Sequence, residues 1–352
     1  MKKVLQLVAV LIISYTNAQN TLIVDNNLFI DDSPAHLYST FSTAIAAASN
    51  GDTILIQPSQ TTYGAITINK SVTILGMGHA PDLNSGVSST VASISISANN
   101  IKISGLYVTG AFTTSANISN LLVENCTLAT GLNLTSATNS NHTFRGNIIK
   151  NVVNLSSSNY ANSLNFTFSN NVFQNLGAGA FSYFNETTIF NNNIIIADQA
   201  LVGYVIFNAP NNVICQNNIW LFTNNTMAVV DQTGGTPVVH NNSMTYHYGS
   251  PTITALNGTG NLDNQNPFFV SIPANNPYWT PTNNYNLGAS SVGNDAGTDG
   301  NDVGIFNGYY DFDIKGYPTE LPYIIDMTIS NNMVPAGADL NVNLKANANK
   351  SN

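Results

Sequence analysis

Positive charge is scarce in this sequence. Arg145 is the only arginine, and nine Lys and Arg residues face eighteen Asp and Glu residues, which gives a formal net charge of −9. Because binding to a nucleic-acid backbone needs clustered cations, the composition excludes nucleic acid as a partner. Charged residues make up only 8% of the chain, against 43% hydrophobic residues, so the polar surface must be built from Asn, Ser and Thr.

Long hydrophobic runs are also missing, apart from one at the N-terminus. That run covers residues 4–13, follows Lys2 and Lys3, and is followed by small residues up to Ala18. This pattern predicts a secretory signal peptide over residues 1–18. The run is too short for a transmembrane helix, and no later segment is long enough for one. We therefore expect a secreted or cell-surface protein with no membrane span.

A short pattern recurs along the chain at intervals of 20 to 29 residues. It consists of an apolar residue, any residue, Gly or Asn, and a fourth position. The eight copies are ILGM at 74–77, ISGL at 103–106, VENC at 123–126, FRGN at 144–147, FSNN at 168–171, FNNN at 190–193, CQNN at 215–218 and VHNN at 239–242. A period in the low twenties, built from short β-rich segments, is typical of one coil of a parallel β-helix.

Each position of the repeat has its own chemistry. The first position is apolar in every copy, as expected of a side chain that points into a continuous core. The third position is Gly or Asn, the residues that adopt left-handed backbone geometry at low cost. The fourth position is Asn in the last five copies, which predicts an asparagine ladder along the coils. Its predicted members are Asn147, Asn171, Asn193, Asn218 and Asn242.

The two cysteines are far apart in this repeat. Cys126 and Cys215 are separated by four coils, or about 19 Å at one strand spacing per coil. That distance is beyond the reach of a disulfide. We therefore predict that both are small core residues.

The ends of a β-helix need covers, because an open end exposes the core and strand edges. Ser39 and Thr40 are candidate caps for a helix over residues 41–48, and Asn50-Gly51 is its stop signal. The helix is predicted to plug the first coil. Near the other end, residues 321–325 and 340–345 alternate like strands. We predict a signal peptide at 1–18, a capped β-helix at 19–312, and a small β appendage at 313–352 that returns along the β-helix.

Two stretches resemble a known family. Residues 44–78, with Asn50-Gly51-Asp52-Thr53-Ile54 and the run from Ile68 to Gly76, resemble the entry segment of the pectin-lyase-like right-handed β-helix superfamily. Residues 266–306 are similar to the closing segment of its secreted bacterial members. The resemblance implies an all-β, single-stranded right-handed parallel β-helix. It also implies pectate-type lyases, glycoside hydrolases or esterases as possible activities, without identifying a reaction.

Residues for that chemistry are sparse in the coils. A lyase commonly uses calcium and an Arg or Lys, but Arg145 shares a column with Glu124 one coil earlier, which favours an ordinary exposed ladder pair. A glycosidase needs converging carboxylates, and no acidic pair shares a column. The basic candidates in the coils are Lys70, Lys102, Arg145 and Lys150. The acids there are Asp82, Glu124, Glu186, Asp198, Asp231 and Asp263, of which Glu186, Asp198 and Asp231 are the least unlikely catalytic residues.

Histidines and a Gly-rich acidic loop are the candidates for metal binding. His142, His240 and His247 have no carboxylate partner in sequence, so polar ladder positions are the better interpretation. Asp295, Asp299 and Asp302 alternate with glycines, and such oxygen ligands suit calcium. We predict at most a structural calcium ion there, at the C-terminal cap, and no required cofactor.

The sequence favours a non-catalytic protein that binds a polysaccharide or cell-surface glycan. Its Asn, Ser and Thr faces supply hydrogen bonds, and aromatic residues supply stacking surfaces. The alternative is a polysaccharide lyase or glycoside hydrolase with an atypical active site. Regular Thr-x-Thr rungs, which ice binding needs, are lacking. The aromatic candidates for sugar stacking are Tyr107, Tyr183, Tyr204, Trp220 and Trp279.

Overall fold

Three parallel β-sheets wind into a right-handed β-helix; the repeat predicted the parallel β-helix, and the family resemblance implied its hand. The computed structural model describes residues 19–80, 86–135, 138–156, 159–176, 179–197, 204–223, 228–233, 236–249, 252–273, 276–306, 308, 310–330, 334 and 337–348. The predicted signal peptide lies outside these residues. No helix in the described part of the chain is long and apolar enough to cross a membrane.

We call the three sheets I, II and III; along the chain, each coil passes from sheet I to sheet III and then to sheet II. Sheet I stacks Leu37–Tyr38, Thr21–Val24, Thr53–Ile56, Thr73–Leu75, Ile101–Ser104, Leu121–Glu124, Asn139–Arg145, Ser163–Ser169, Ile189–Asn191, Ile214–Gln216, Val239–Asn241 and Gly258–Thr259, with Ile118–Ser119 beside Asn139–Arg145. Sheet II stacks Ala65–Ile68, Ser93–Ile96, Phe112–Thr114, Leu132–Asn133, Val153–Asn154, Phe181–Ser182, Tyr204–Asn208 and Ala228–Thr233. Sheet III stacks Thr90–Val91, Tyr107–Val108, Thr127–Leu128, Ile148–Lys150, Val172–Leu176, Ile194–Ala197, Ile219–Phe222 and Met244–His247.

The core is a continuous apolar column inside the three sheets. Strand residues alternate between the inside and the outside, so the inward positions of successive coils stack on one another. Aromatic rings dominate its middle section, where Phe144 and Phe168 stack with centroids 5.1 Å apart. Both cysteines are free and fully buried in this core, as predicted. Burial raises the pKa of the Cys126 thiol to about 12, which keeps it protonated.

The sharp turn between sheets I and III contains the predicted left-handed residue and asparagine ladder. Backbone φ is positive at Gly105, Asn125, Gly146, Asn170, Asn192 and Asn217. The next position forms the ladder, in which Asn147, Asn171 and Asn193 each donate from Nδ2 to the Oδ1 of the following member, ending at Asn218, at 3.0–3.1 Å. Each Oδ1 also accepts the backbone N–H of the previous coil.

The prediction for the last copy was wrong by one residue. His240 pairs with Cys215 and points into the core, and Asn242 has the left-handed φ of 51°. The ladder therefore continues through Ser243, which accepts from the Asn218 backbone N–H at 3.4 Å, and then through Asn261. The error arose because Asn241 and Asn242 are both asparagine, so the pattern fits two registers.

The N-terminal helix is confirmed over Phe41–Ala47. Thr40 caps it, since its hydroxyl accepts from the Thr43 backbone N–H at 3.3 Å. The side chains of Phe41, Ala44 and Ile45 are buried against the end of the core. A feature that the sequence did not reveal is the strand before the helix, Thr21–Val24, which extends sheet I beyond the first repeat.

The C-terminal third of the chain covers the outer side of sheet III. Outward residues such as Val172 and Ile219 form a second apolar core with Tyr285, Val303 and Ile305. Within this region Phe269–Ser271 pairs antiparallel with Asn284–Leu287. The chain then runs back along the corner between sheets I and III, where the left-handed asparagines bind it. The contacts run from Asn242 to Ala296 (2.8 Å), Asn217 to Thr298 (3.1 Å), Asn170 to Ile305 (2.9 Å) and Asn125 to Tyr317 (3.1 Å).

The final strands form an antiparallel hairpin of Pro322–Ile329 and Val342–Ala348. The two strands were predicted, and within the predicted appendage the return along the β-helix is made by residues 313–321. The segment before the hairpin makes that return, because its backbone and side chains satisfy the corner asparagines. The described side chains of the hairpin are solvent-exposed.

Candidate functional site

The outer faces of the three sheets differ in what covers them. Sheet III is buried under the second apolar core, and sheet I is crossed near Glu124 by residues 310–321. Sheet II has no comparable cover among the described residues, since several of its outward side chains, including Thr67 and Asn133, are exposed. Sheet II therefore offers an outer face without such a cover.

An uncharged polar column runs along the outer face of sheet II. Its members pair in register from strand to strand, and each is a hydroxyl or amide residue. We call it the sheet II column: Thr67, Ser95, Thr113, Asn133, Asn154, Ser182 and Asn208. Neighbouring residues such as Ile94 and Phe112 point inward and are buried. Strand alternation therefore places the polar set outside.

The sheet II column has spare hydrogen-bonding capacity. Thr113 Oγ1 donates to the Ile94 carbonyl at 3.4 Å, and Asn208 Nδ2 donates to Ser182 Oγ at 3.4 Å. Asn133 Oδ1 accepts from Thr135 Oγ1 at 2.8 Å. A hydroxyl offers one donor and two acceptor positions, and an amide offers two of each. These contacts therefore leave groups free to bind a ligand that carries many hydroxyls.

Two tyrosines stand beside the sheet II column. Tyr183 follows Ser182 directly and adopts a left-handed φ of 62°. Its ring lies 5.7 Å from the ring of Tyr160, centroid to centroid, at an interplanar angle of 57°. Both residues are half-buried, so each presents part of its ring to solvent. An aromatic surface next to a row of hydrogen-bonding groups is the combination that sugar rings favour.

The other aromatic candidates are not part of this face. Trp220 is fully buried in the core, and Trp279 packs against Tyr285 and Phe312 over sheet III. Tyr107 is half-buried on sheet III, and the side chain of Tyr204 lies outside the described residues. Only Tyr183 of the predicted set therefore lies beside an open polar surface.

The predicted pair of Arg145 and Glu124 is present on sheet I. Arg145 Nη2 lies 2.7 Å from Glu124 Oε2, and Lys102 Nζ lies 2.5 Å from Oε1. Lys102 also pairs with Glu320. The expectation of an ordinary exposed pair was wrong, because Glu124 is fully buried and the Arg145 guanidinium lies 4.5 Å from the centre of the Tyr310 ring. Both carboxylate oxygens of Glu124 form ion pairs, one with Lys102 and the other with Arg145. The arrangement is that of a buried structural ion-pair cluster rather than of a catalytic acid-base pair.

The remaining charged candidates are dispersed. Lys70 Nζ donates to the carbonyls of Ala46 and Ala48 at 2.8 and 2.6 Å, at the C-terminal end of the capping helix. Lys150 is half-buried on sheet III, and burial lowers its pKa. Glu186 is exposed and accepts from Asn211 Nδ2 at 2.8 Å.

The other predicted acids add no pair to this picture. Asp263 accepts from the Leu256 backbone N–H at 2.9 Å. Asp82 and Asp198 lie outside the described residues, as does the side chain of Asp231. The described side chains thus bring none of these acids together in the arrangement that a glycosidase requires.

The three predicted histidines are internal rather than members of a polar ladder. His142 Nδ1 accepts from the Leu121 backbone N–H at 3.2 Å, and its Nε2 lies 3.3 Å from Asn139 Oδ1. His240 lies in the core against Trp220 with ring centroids 5.4 Å apart. His247 Nδ1 accepts from the Gly249 backbone N–H at 2.9 Å. The sequence interpretation missed their burial because a histidine on an inward position has no pattern of its own.

The buried imidazoles predict a loss of stability in acid. Burial lowers the pKa of His142 to about 4, below its ordinary value of 6.5. Between pH 6.5 and pH 4, His142 is protonated in the unfolded chain but neutral in the folded chain. Its contribution to stability is therefore fully present above pH 6.5 and falls as the pH drops toward 4. Between pH 7 and pH 4.5, the free energy of unfolding of His142→Gln should fall by about 2 kcal/mol less than that of the wild type, as measured by urea unfolding at both pH values. Identical pH slopes for the two proteins would contradict this assignment.

The predicted calcium loop lies on the returning segment, not at the cap. Asp302 Oδ1 accepts from the Asp295 backbone N–H at 2.9 Å, and Asp299 Oδ1 accepts from the Asn301 N–H at 3.2 Å. These carboxylates therefore cap local turns. Within the described ranges, no group of three His, Cys, Asp or Glu side chains is placed to hold a metal ion. A calcium ion at this loop stays a prediction, which a calcium titration of the melting temperature would test.

Comparisons with known proteins carry no argument about the function or family of this chain. No family model matches the chain, and no curated protein sequence matches it. Among solved structures, the pectate lyase Pel9A is 15% identical and aligns with 83% of this chain and 98% of its own, with a TM-score of 0.45. A pectin methylesterase mutant in complex with a hexasaccharide is 14% identical and aligns with 74% of this chain and 98% of its own, with a TM-score of 0.38.

The fold itself defines the class of this protein. Three parallel sheets, a left-handed turn residue in nearly every coil and a helical N-terminal cap make it a right-handed parallel β-helix protein.

Proposed function

We propose that this chain is a non-catalytic glycan-binding β-helix and that the outer face of sheet II is its binding surface. The observation that carries the proposal is the sheet II column, an unbroken register of hydroxyl and amide side chains over seven strands. Successive strands are about 4.8 Å apart. A polymer with regularly repeated hydroxyls can therefore meet a donor or acceptor at most of these strands; Ser182 is the exception, since it is buried and its hydroxyl bonds to Gly179 and Asn208. The ring faces of Tyr160 and Tyr183 add an apolar contact at the side of this row.

Charge favours a neutral glycan. Removal of Lys2 and Lys3 with the predicted signal peptide changes the formal net charge from −9 to −11. The sheet II column contains no charged residue that would offset the repulsion of an anionic polymer. We therefore expect a glycan array to show retention of neutral polysaccharides in preference to acidic ones.

A charged, bulky residue in the middle of the sheet II column should weaken binding. Thr113 pairs with Ser95 on one side and Asn133 on the other, so Thr113→Arg places a long side chain across the row. We expect the Kd for the best ligand of the array to rise about tenfold or more, since several hydrogen bonds and their neighbours are lost together. Isothermal titration calorimetry measures the change.

Thr167→Arg is the matched control. Thr167 points outward in a sheet I strand, so the substitution adds the same charge and bulk to a different face. Binding by this control should equal that of the wild type. An equal loss in both variants, or no loss in the Thr113 variant, would place the binding surface elsewhere.

Catalysis on a polysaccharide is the alternative function. The only cluster of opposite charges in the described ranges holds Lys102, Glu124, Arg145 and Glu320. Its central carboxylate is fully buried, and both of its oxygens are held in ion pairs with Lys102 and Arg145, so in the closed structure it is not placed to act as a general acid or base. Turnover assays on neutral and anionic polysaccharides, with reducing ends and unsaturated products as readouts, decide between binding alone and catalysis.

Export is part of the proposal. The charged start, apolar run and small-residue exit of residues 1–18 support cleavage before Gln19 and secretion to the medium or the cell surface. N-terminal sequencing of the protein recovered from the medium or the cell surface tests this. A mature chain that still begins at Met1 would contradict it.

A further inference from the structure

Residues 313–321, which we call the strap, cross the outer face of sheet I near the N-terminal end. The chain just before the strap is held by apolar packing, since Phe312 is buried in the second core with its ring centroid 5.0 Å from that of Trp279. The strap itself is held differently, because it adds polar and ionic contacts with the β-helix to the packing of Gly316 and Pro318.

Several contacts between described residues hold the strap. Glu320 forms an ion pair with Lys102, and both side chains are partly exposed. The Tyr317 carbonyl accepts from Asn125 Nδ2 at 3.1 Å. The Asp313 carbonyl lies 3.3 Å from His79 Nε2. Pro318 packs so close to Gly105 that an added Cβ there would lie 2.9 Å from the proline ring.

The strap separates two grooves on the same outward columns of sheet I. One groove of 470 Å³ lies on the first coils and is lined by Thr53, Leu55, Thr73 and Leu75. The other, of 220 Å³, lies on later coils and is lined by Arg145, Thr143 and Thr167. Glu320 and Leu321 form the wall of the first groove, and Tyr310, just before the strap, forms the wall of the second. The two coils between the grooves carry Lys102, Ser104, Leu122 and Glu124 on their outward side.

Closure over these two coils buries polar groups at a cost. Ser104 is fully buried, and its Oγ has no hydrogen-bond partner. Its neighbours in the chain contact the strap: Lys102 pairs with Glu320, and Gly105 packs on Pro318. Glu124 is also fully buried. Unsatisfied hydroxyls and buried ion pairs contribute little to stability and can oppose it. The polar and ionic part of the closure therefore adds little to its stability, and Pro318 supplies the apolar part.

We propose that the strap is a releasable gate, hinged after Phe312, and that its release joins the two grooves into one continuous trough along sheet I. The ion pair between Lys102 and Glu320 is the exposed element of the closure, so added salt and loss of the Glu320 charge both favour the open state. This inference concerns a different face from the sheet II column and does not depend on the proposed function.

Thiol labelling at Ser104 measures the opening of the gate. Ser104→Cys is nearly isosteric and removes no hydrogen bond of the side chain. The full-length mature chain with this substitution is treated with a maleimide at low and at high salt, alone and combined with Glu320→Gln. We expect slow labelling at low salt, and labelling about fivefold faster in high salt or with Glu320→Gln, the size of effect expected for one exposed ion pair.

Three controls make the result decisive. Labelling of the wild type measures the reactivity of Cys126 and Cys215 alone. Both are buried and should react only on global unfolding. Thr167→Cys lines the open groove and should react rapidly at every salt concentration. Glu186→Gln removes an exposed carboxylate far from the strap and should leave labelling at Ser104→Cys unchanged.

Two outcomes would overturn the gate. Labelling of Ser104→Cys as slow as that of the wild-type cysteines in every condition would mean that the strap never opens without unfolding. Labelling as fast as that of Thr167→Cys at low salt would mean that the strap does not cover this site. Hydrogen exchange of residues 313–321 in the unmodified protein gives the same comparison without a cysteine, and salt-independent protection there would also refute the proposal.

Discussion

Asn171→Ala should destabilise the protein by about 3–5 kcal/mol, because it removes the central link of the asparagine ladder. Asn171 Oδ1 accepts from both the backbone N–H and the Nδ2 of Asn147, and its Nδ2 donates to the Phe144 carbonyl and to Asn193 Oδ1. Alanine leaves these groups buried without a partner and offers no space that water can reach easily. Each such group costs about 1–3 kcal/mol. Urea unfolding followed by circular dichroism gives the change in free energy.

The control for this prediction is Asn133→Ala, which removes an amide of the same kind from an exposed position. Its free energy of unfolding should stay within about 0.5 kcal/mol of the wild type, as is usual for surface positions. Asn171→Ser should lie between the two, since Ser243 already occupies a ladder position in the native protein. A loss for Asn171→Ala no larger than that for Asn133→Ala would contradict the ladder's structural role.

Ile45→Asp should open the N-terminal end of the core and make the protein aggregate. Ile45 is buried on the inner side of the capping helix, next to Phe41 and Ala44. A carboxylate there has no partner and loses its hydration, which costs about 3 kcal/mol or more in addition to the lost apolar burial. The helix should detach and expose the strand edges and apolar residues of the first coil. Light scattering and thermal melting measure both effects.

Ser42→Asp is the matched control on the same helix. Ser42 is exposed and lies in the first helical turn, where a negative charge interacts favourably with the helix dipole. This variant should remain monodisperse with an unchanged or slightly higher melting temperature. If Ile45→Asp behaved in the same way, the helix would not be a plug.

The ladder and the cap were predictable from local sequence. Strand alternation sets which residues point inward, and the coil repeat aligns Asn147, Asn171, Asn193 and Asn218 in one column. The same logic failed at His240, because an inward histidine next to two asparagines gives no apolar signal to fix the register. It also missed His79, which is buried between sheet III and the returning segment, where it lies 3.3 Å from Thr127 Oγ1.

The pairing of Glu124 with Arg145 shows the limit of the repeat more clearly. Their shared column was visible in the sequence, but their burial was not, because the covering residues Tyr310, Pro318 and Glu320 lie about 200 positions later. A periodic pattern describes contacts between neighbouring coils. It contains no information on a segment that returns along the outside.

The sequence by itself therefore determined the parallel β-helix, its coil length, the left-handed turn residue and the N-terminal plug, since these follow from strand alternation, the coil repeat and helix-capping signals within short stretches. The tertiary structure decided which face is open. Sheets II and III both carry regular outward columns. Tyr285, Val303 and Ile305 pack on sheet III and bury its outer face, whereas the sheet II column has no such cover among the described residues. The reason is physical: burial of an outer face depends on long-range apolar packing, whereas the coil itself depends on local periodicity.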